Sequence, residues 1–222
     1  MPLELVIVDK VTGQAASIDP DSGGIILAAR ALGYDKQYRI VGQTGALAAA
    51  LAANSVLFAL RNSLTANPAT QMQHIQQIKL MWTTITAFTA AVTAGRRLEV
   101  IKANTASGSY TGGTAVATVT KKVTASAASQ IDAVSGGDAR IAAAAALTAP
   151  TTIGIEAQPQ AIMTLAHVGA AGAYTEKIME FSGVNFQPIE IGVGELLLIR
   201  NPVAMDAGGT FQLGIEIDLY QN

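Results

Sequence analysis

Two histidines, His74 and His167, are the side chains of this chain best suited to proton transfer or metal ligation near neutral pH. They lie far apart in sequence, and there is no cysteine to join them, so no tetrahedral zinc set and no thiolate, disulfide or iron–sulfur chemistry can be read from spacing. A serine and an aspartate could complete a triad with either one. The Gly-x-Ser-x-Gly elbow that would present such a serine does not occur. His74, in Met72-Gln-His-Ile-Gln-Gln77, is expected at the start of a strand and partly exposed. His167, following Thr164-Leu-Ala, reads as a structural or surface residue.

Carboxylate pairs come next. Asp19-Pro-Asp21-Ser-Gly-Gly24 places two acids two residues apart, as a calcium loop would, but Ile25-Ile26-Leu27 follow where further oxygen ligands are required. A turn is the better reading. Glu216 and Asp218 share one face of a strand, which could serve glycoside hydrolysis across a groove. The polar exterior of a sandwich produces the same spacing without catalysis. No Gly-Lys pair exists, so no phosphate-binding P-loop is present, and Gly108-Ser-Tyr-Thr-Gly-Gly113 lacks the dinucleotide spacing. Basic residues cluster only as Arg96-Arg97 and Lys121-Lys122, each read as a solvated strand end or turn, and the net charge is −2. Nucleic-acid binding therefore has little support. No catalytic residue, cofactor or metal ligand is assigned, and the chain is expected not to be an enzyme.

The elements that would position these residues are strands. From Gly209 to Tyr220, Phe211, Leu213, Ile215, Ile217 and Leu219 alternate with polar or small residues, the mark of a strand with one buried face. Glu195-Leu-Leu-Leu-Ile-Arg-Asn201 is a core strand, and the Pro202 to Gly209 link reads as a loop between antiparallel neighbours. Further short runs cover 3–8, 38–41, 55–61, 98–102, 115–123, 139–144, 161–167 and 177–186, with Gly, Pro, Asn, Asp or Ser between many of them. Ile25–Leu32, with Gly33 as a C-cap, and Ala46–Ala53 could be short helices. Over His74–Val92, Ile75, Ile78, Trp82, Ile85 and Val92 fall at helical spacing, while Thr83-Thr84-Ile85-Thr86 and the alternation of Ile78, Leu80 and Trp82 favour a strand. The two weigh evenly. The tract Thr105 to Thr114 has the composition of an exposed loop.

The chain has 222 residues, of which 14% are charged and 50% hydrophobic, with aromatics at only 5%. Its mean hydropathy is +0.36. Ordinary domains carry charge at about 25% of positions, so a membrane, a large interface or a small-residue interior must account for the difference. Ile40 to Leu60 is uncharged and long enough to span a bilayer, but it is rich in Ala and broken by Gln43, Thr44, Asn54 and Ser55. No membrane segment is expected, and the start Met-Pro-Leu-Glu-Leu-Val-Ile-Val-Asp reads as cytoplasmic, without a signal peptide. Many short runs punctuated by turn chemistry point to an all-β sandwich or barrel.

Several segments resemble a known family: Val56-Leu-Phe-Ala-Leu-Arg-Asn62; Trp82-Thr-Thr-Ile-Thr-Ala-Phe-Thr-Ala-Ala91 with Arg97-Leu-Glu-Val-Ile-Lys-Ala103 and Thr111-Gly-Gly-Thr-Ala115; Gly137-Asp-Ala-Arg-Ile-Ala142 through Thr148; and Gly194-Glu-Leu-Leu-Leu-Ile-Arg-Asn-Pro202 running into Gly208-Gly-Thr-Phe-Gln-Leu-Gly-Ile-Glu-Ile217. Together they are similar to the β-rich accessory virion proteins of tailed bacteriophages. The resemblance implies a jelly-roll antiparallel β-sandwich that decorates or cements the capsid between major capsid protein subunits, as a homotrimer, on a virion assembled in the host cytoplasm. It makes the Trp82 segment a strand. The chain is read as a single domain over 1–222, with 1–50 as an N-terminal arm or subdomain outside the resemblance. A tail or baseplate module binding host carbohydrate and a jelly-roll coat protein are the alternative readings.

Overall fold

The computed structural model describes residues 17–18, 25–26, 37–48, 50–62, 72–89, 95–105, 108–116, 119–122, 139–165, 170–181, 187–205 and 208–221. Sixteen strands run through them in chain order: β1 (Ser17–Ile18), β2 (Ile25–Ile26), β3 (Gln37–Gln43), β4 (Leu47–Ala48), β5 (Ser55–Arg61), β6 (Gln73–Thr86), β7 (Arg96–Asn104), β8 (Thr114–Ala115), β9 (Val119–Lys121), β10 (Ala139–Ile141), β11 (Gly154–Ile155), β12 (Ala161–Leu165), β13 (Tyr174–Glu180), β14 (Ile189–Ile191), β15 (Glu195–Asn201) and β16 (Thr210–Gln221). Among the described residues there is no helix. Ala46–Ala53 is therefore not helical where it is described, since Leu47–Ala48 pairs with β16 instead. Of Ile25–Leu32 only the first two residues are described, as β2, and the expected strand at 3–8 lies outside the described residues.

Two antiparallel sheets pack face to face. Sheet I has the order β11-β7-β15-β5-β10-β8, with β12 also on the outer side of β7, and sheet II the order β13-β6-β16-β3-β9, with β14 beside β6 and β4 beside β16. The long strands are paired from the outside of the chain inward: β3 with β16, β5 with β15, β6 with β13 and β7 with β12. This is one long antiparallel hairpin rolled up so that its arms alternate between sheets, the jelly-roll arrangement. The expected all-β sandwich is thus the observed fold. The Pro202 to Gly209 link does not join sheet neighbours, however. It carries the chain from β15 in sheet I across to β16 in sheet II, and turn composition alone does not distinguish a hairpin from a crossing between layers.

The two sheets differ in how their faces are covered, and their sequences show it. Sheet II alternates, because Tyr38, Ile40, Ile78, Leu80, Trp82, Phe211, Leu213, Ile215, Ile217 and Leu219 point into the core while Arg39, Lys79, Gln212 and Glu216 point out. The central strands of sheet I are apolar on both faces. Leu57, Phe58, Leu60, Leu98, Val100, Leu197 and Ile199 face sheet II, and Val56, Ala59, Ile101, Ala103, Leu196 and Leu198 form a second cluster under Tyr110, Leu147 and Ile153. Those covering residues belong to the long connection from β7 to β12, which folds back over sheet I. The tract expected as an exposed loop is thereby anchored, with Tyr110 buried, Arg61 Nη1 donating to Ser109 Oγ (3.3 Å) and Arg140 Nε donating to the Gly112 carbonyl (2.9 Å). Gly113, at φ +54°, sits where an added Cβ would meet the Ile141 carbonyl oxygen at 2.2 Å, so glycine is required there.

The segment that sequence periodicity left open is the strand β6 as far as Thr86; residues 87–89 lie outside any strand, and Val92 lies outside the described residues. β-Bulges explain the ambiguity. Opposite β16, Asp218 faces Gln77 and Leu219 faces Ile75, so Gln76 is an extra residue. The bulge brings Ile75 and Ile78, three apart, onto one face and so imitates a helical repeat. A second shift skips Ile85, since Thr210 faces Thr86 and Phe211 faces Thr84. Ile85, counted with the helical set, is consequently exposed at 39%.

Candidate functional site

The outer face of sheet II is built of outward residues from its neighbouring strands, in rows fixed by register. One row runs Glu180, Gln77, Asp218, Arg39; the next Ile178, Lys79, Glu216, Val41; the third Glu176, Met81, Gly214, Gln43; and the last Tyr174, Thr83, Gln212. Gly214 leaves space that the Met81 side chain fills, its Cε lying 3.0 Å from where a Cβ would be.

Two charge clusters organise the face. Asp218 accepts from Arg39 Nε (2.7 Å) and Nη2 (2.9 Å) and from Lys122 Nζ (2.8 Å), a bidentate fork plus an ammonium. Burial alone would raise its carboxyl, but the hydrogen bonds and charges of Arg39 and Lys122 outweigh this and hold it below the usual carboxylate range. At the other end Tyr174 donates its hydroxyl to Glu176, which Lys79 Nζ approaches at 3.3 Å. The Tyr174 bond and the Lys79 cation lower the Glu176 carboxyl, and donating to that carboxylate raises the Tyr174 hydroxyl. Elsewhere on the face Gln43 Nε2 donates to Gln212 Oε1 (3.2 Å), and Gln77 Nε2 donates to Glu180 Oε1 (3.3 Å).

Glu216 and Asp218 do share this polar face, as the alternation predicts. Asp218 is engaged by three donors and acts as a structural acceptor. His74 stands second in β6, as expected for a strand start, but it is buried rather than partly exposed. Its ring stacks on Tyr220 at 4.3 Å and 5°, and its Nδ1 lies 3.5 Å from Glu190 Oε1. Burial pushes its pKa down, and the Glu190 charge opposes this only in part. His167 lies outside the described residues, as do Asp19, Asp21 and Gly136-Gly137, although β1 and β2 on either side of the Asp19 segment pair antiparallel as a reversal requires. Among the described residues no group of three His, Asp or Glu side chains is placed to hold a metal ion.

The basic pairs divide. Lys121 ends β9 exposed, as expected of a strand end, while Lys122, the next residue, is held by Asp218. Arg96 opens β7 but is buried, with its guanidinium 3.9 Å from the centre of the Phe88 ring, a cation–π contact that spacing could not reveal. Tyr174 and Glu176 escaped the sequence reading because β13 begins three residues before the run placed at 177–186. Their outward alternation with Ile178 and Glu180 was the available signal. Among the described residues no helix is long and apolar enough to cross a membrane. No family model, no curated protein and no solved structure matches this chain.

Proposed function

We propose that the protein is a structural component of a tailed-bacteriophage virion that decorates the capsid surface, binding between major capsid protein subunits and stabilising the shell as a homo-oligomer. The observation that carries this reading is the rolled hairpin with most of its faces covered: the inner faces of the two sheets pack on each other and the outer face of β5, β7 and β15 is covered, while the outer face of sheet II is open and mainly polar. Such a body resists deformation and presents one broad surface for apposition to a neighbour. Polar, partly paired side chains on that surface suit reversible docking, in which complementary charge sets register more than raw affinity. The three copies implied by the family resemblance are one of the assemblies that a solution mass distinguishes.

The test is co-sedimentation of the purified chain with assembled capsids that lack it, followed by heating of the loaded and bare shells. Retention with the shells and a higher rupture temperature are expected. No affinity for assembled capsids overturns the proposal. Tyr174, 54% exposed beside Glu176, favours a second reading in which the same face binds a glycan of the host surface. Glycan binding lost on Tyr174→Ala, with no capsid affinity, would support that reading instead.

A further inference from the structure

Four of the six large apolar side chains exposed among the described residues, Ile155, Ile162, Tyr174 and Ile178, lie on one side of the sandwich, on β11, β12 and β13. These are edge strands, and an unpaired edge is a template for another strand unless it is protected. The opposite edges are protected by brevity: β8 has two residues and β9 three. The remaining long edges differ in charge. In β13, self-pairing centred on Lys177 opposes two lysines, centring on Ile178 sets Glu176 against Glu180, and centring on Glu176 opposes two glutamates. Like charges directly opposite are destabilising, so β13 carries its own barrier to self-association. The β12 strand, Ala161-Ile-Met-Thr-Leu165, has no charge, no proline, no glycine and no bulge in its pairing with β7. Among the described residues no strand pairs with its outer side.

We propose that β12 is a contact between two copies of this chain, the strands pairing antiparallel about a two-fold axis at Met163, so that sheet I continues from one copy into the next. This register sets Ile162 against Thr164 of the second copy on the outer face, a β-branched pair of the kind that stabilises cross-strand contacts. On the inner face Ala161 meets Leu165 of the second copy and the two Met163 residues meet each other. A second copy fits because the strand is complementary to itself in this register: every opposed pair is uncharged and none is forced off the shared face. The contact is isologous, so it closes at two copies. It gives an even copy number where the family resemblance implies three, and it stands independently of the capsid reading.

Light scattering across a concentration series tests it. The expected mass is twice 22.8 kDa, with little dependence on salt because no charge lies in the pairing. Ile162→Lys with Thr164→Lys, both outward positions, opposes lysines twice and raises the dissociation constant about tenfold or more, with the melting temperature of the diluted protein unchanged. Because the chain has no cysteine, the register has its own readout: a mixture of Ile162→Cys and Thr164→Cys chains should cross-link on oxidation far more than either alone. A monomer at every concentration, a trimer, or a dimer indifferent to the two lysines overturns the proposal.

Discussion

At the scale of single residues, His74 and Asp218, two perturbed groups on sheet II, make the fold sensitive to acid in different ranges. His74 has a folded pKa below its unfolded value, so the unfolded chain takes up a proton first as pH falls. Stability is therefore intact well above about 6.5, the ordinary histidine value, and declines as pH drops through it towards the lowered folded value. His74→Phe retains an aromatic against Tyr220 and does not titrate; thermal melts from pH 8 to 5 should lose this decline. Asp218 contributes stability above the usual aspartate range that disappears as pH falls through its lowered pKa. Asp218→Asn leaves Arg39 and Lys122 facing each other without an anion. Because Arg39 is 41% exposed on its side chain, screening limits the cost to about 1 kcal/mol, measurable by urea unfolding at neutral pH.

At the scale of elements, β6 shows how a bulge separates residues that periodicity treats alike. Ile78 is fully buried and Ile85 lies on the skipped position. Ile78→Ala should cost about 2–5 kcal/mol, while Ile85→Thr should stay within about 0.5 kcal/mol, both read from denaturant midpoints. Strand legibility followed from burial. The bounds Ser55–Arg61 and Glu195–Asn201 were readable to the residue because these central strands of sheet I are covered on both sides, which forces an unbroken apolar run between turn residues. The alternation of β16 was readable because one face of sheet II is wet. What stayed hidden depends on partners distant in sequence: the Phe88 ring that buries Arg96, the Tyr220 ring that buries His74, the sheet crossing after Asn201, and the anchoring of Tyr110 within a tract of Gly, Ser and Thr. The polar face itself was half legible, through Glu216 and Asp218. The residues opposite them on β3 and β13 required a register that no local pattern encodes.

At the scale of the whole molecule, the connection from β7 to β12 acts as a lid on sheet I. Tyr110→Ala should cost about 3 kcal/mol and increase dye binding to apolar surface, because Leu196, Leu198 and Ile101 lose their cover. The rolled hairpin has a second consequence, in the order of events by which the chain acquires its shape. β16 lies between β3 and β6 and supplies hydrogen bonds to both, while Arg39 and Asp218, which clasp two of these strands, are 179 residues apart. Sheet II thus cannot close before β16 has been made. Contacts of such long sequence separation place folding in the slow, millisecond-to-second regime of non-local β topologies. β3 and β6 must therefore wait, without the strand that joins them, until β16 has left the ribosome, and chaperone demand should fall sharply once it has emerged.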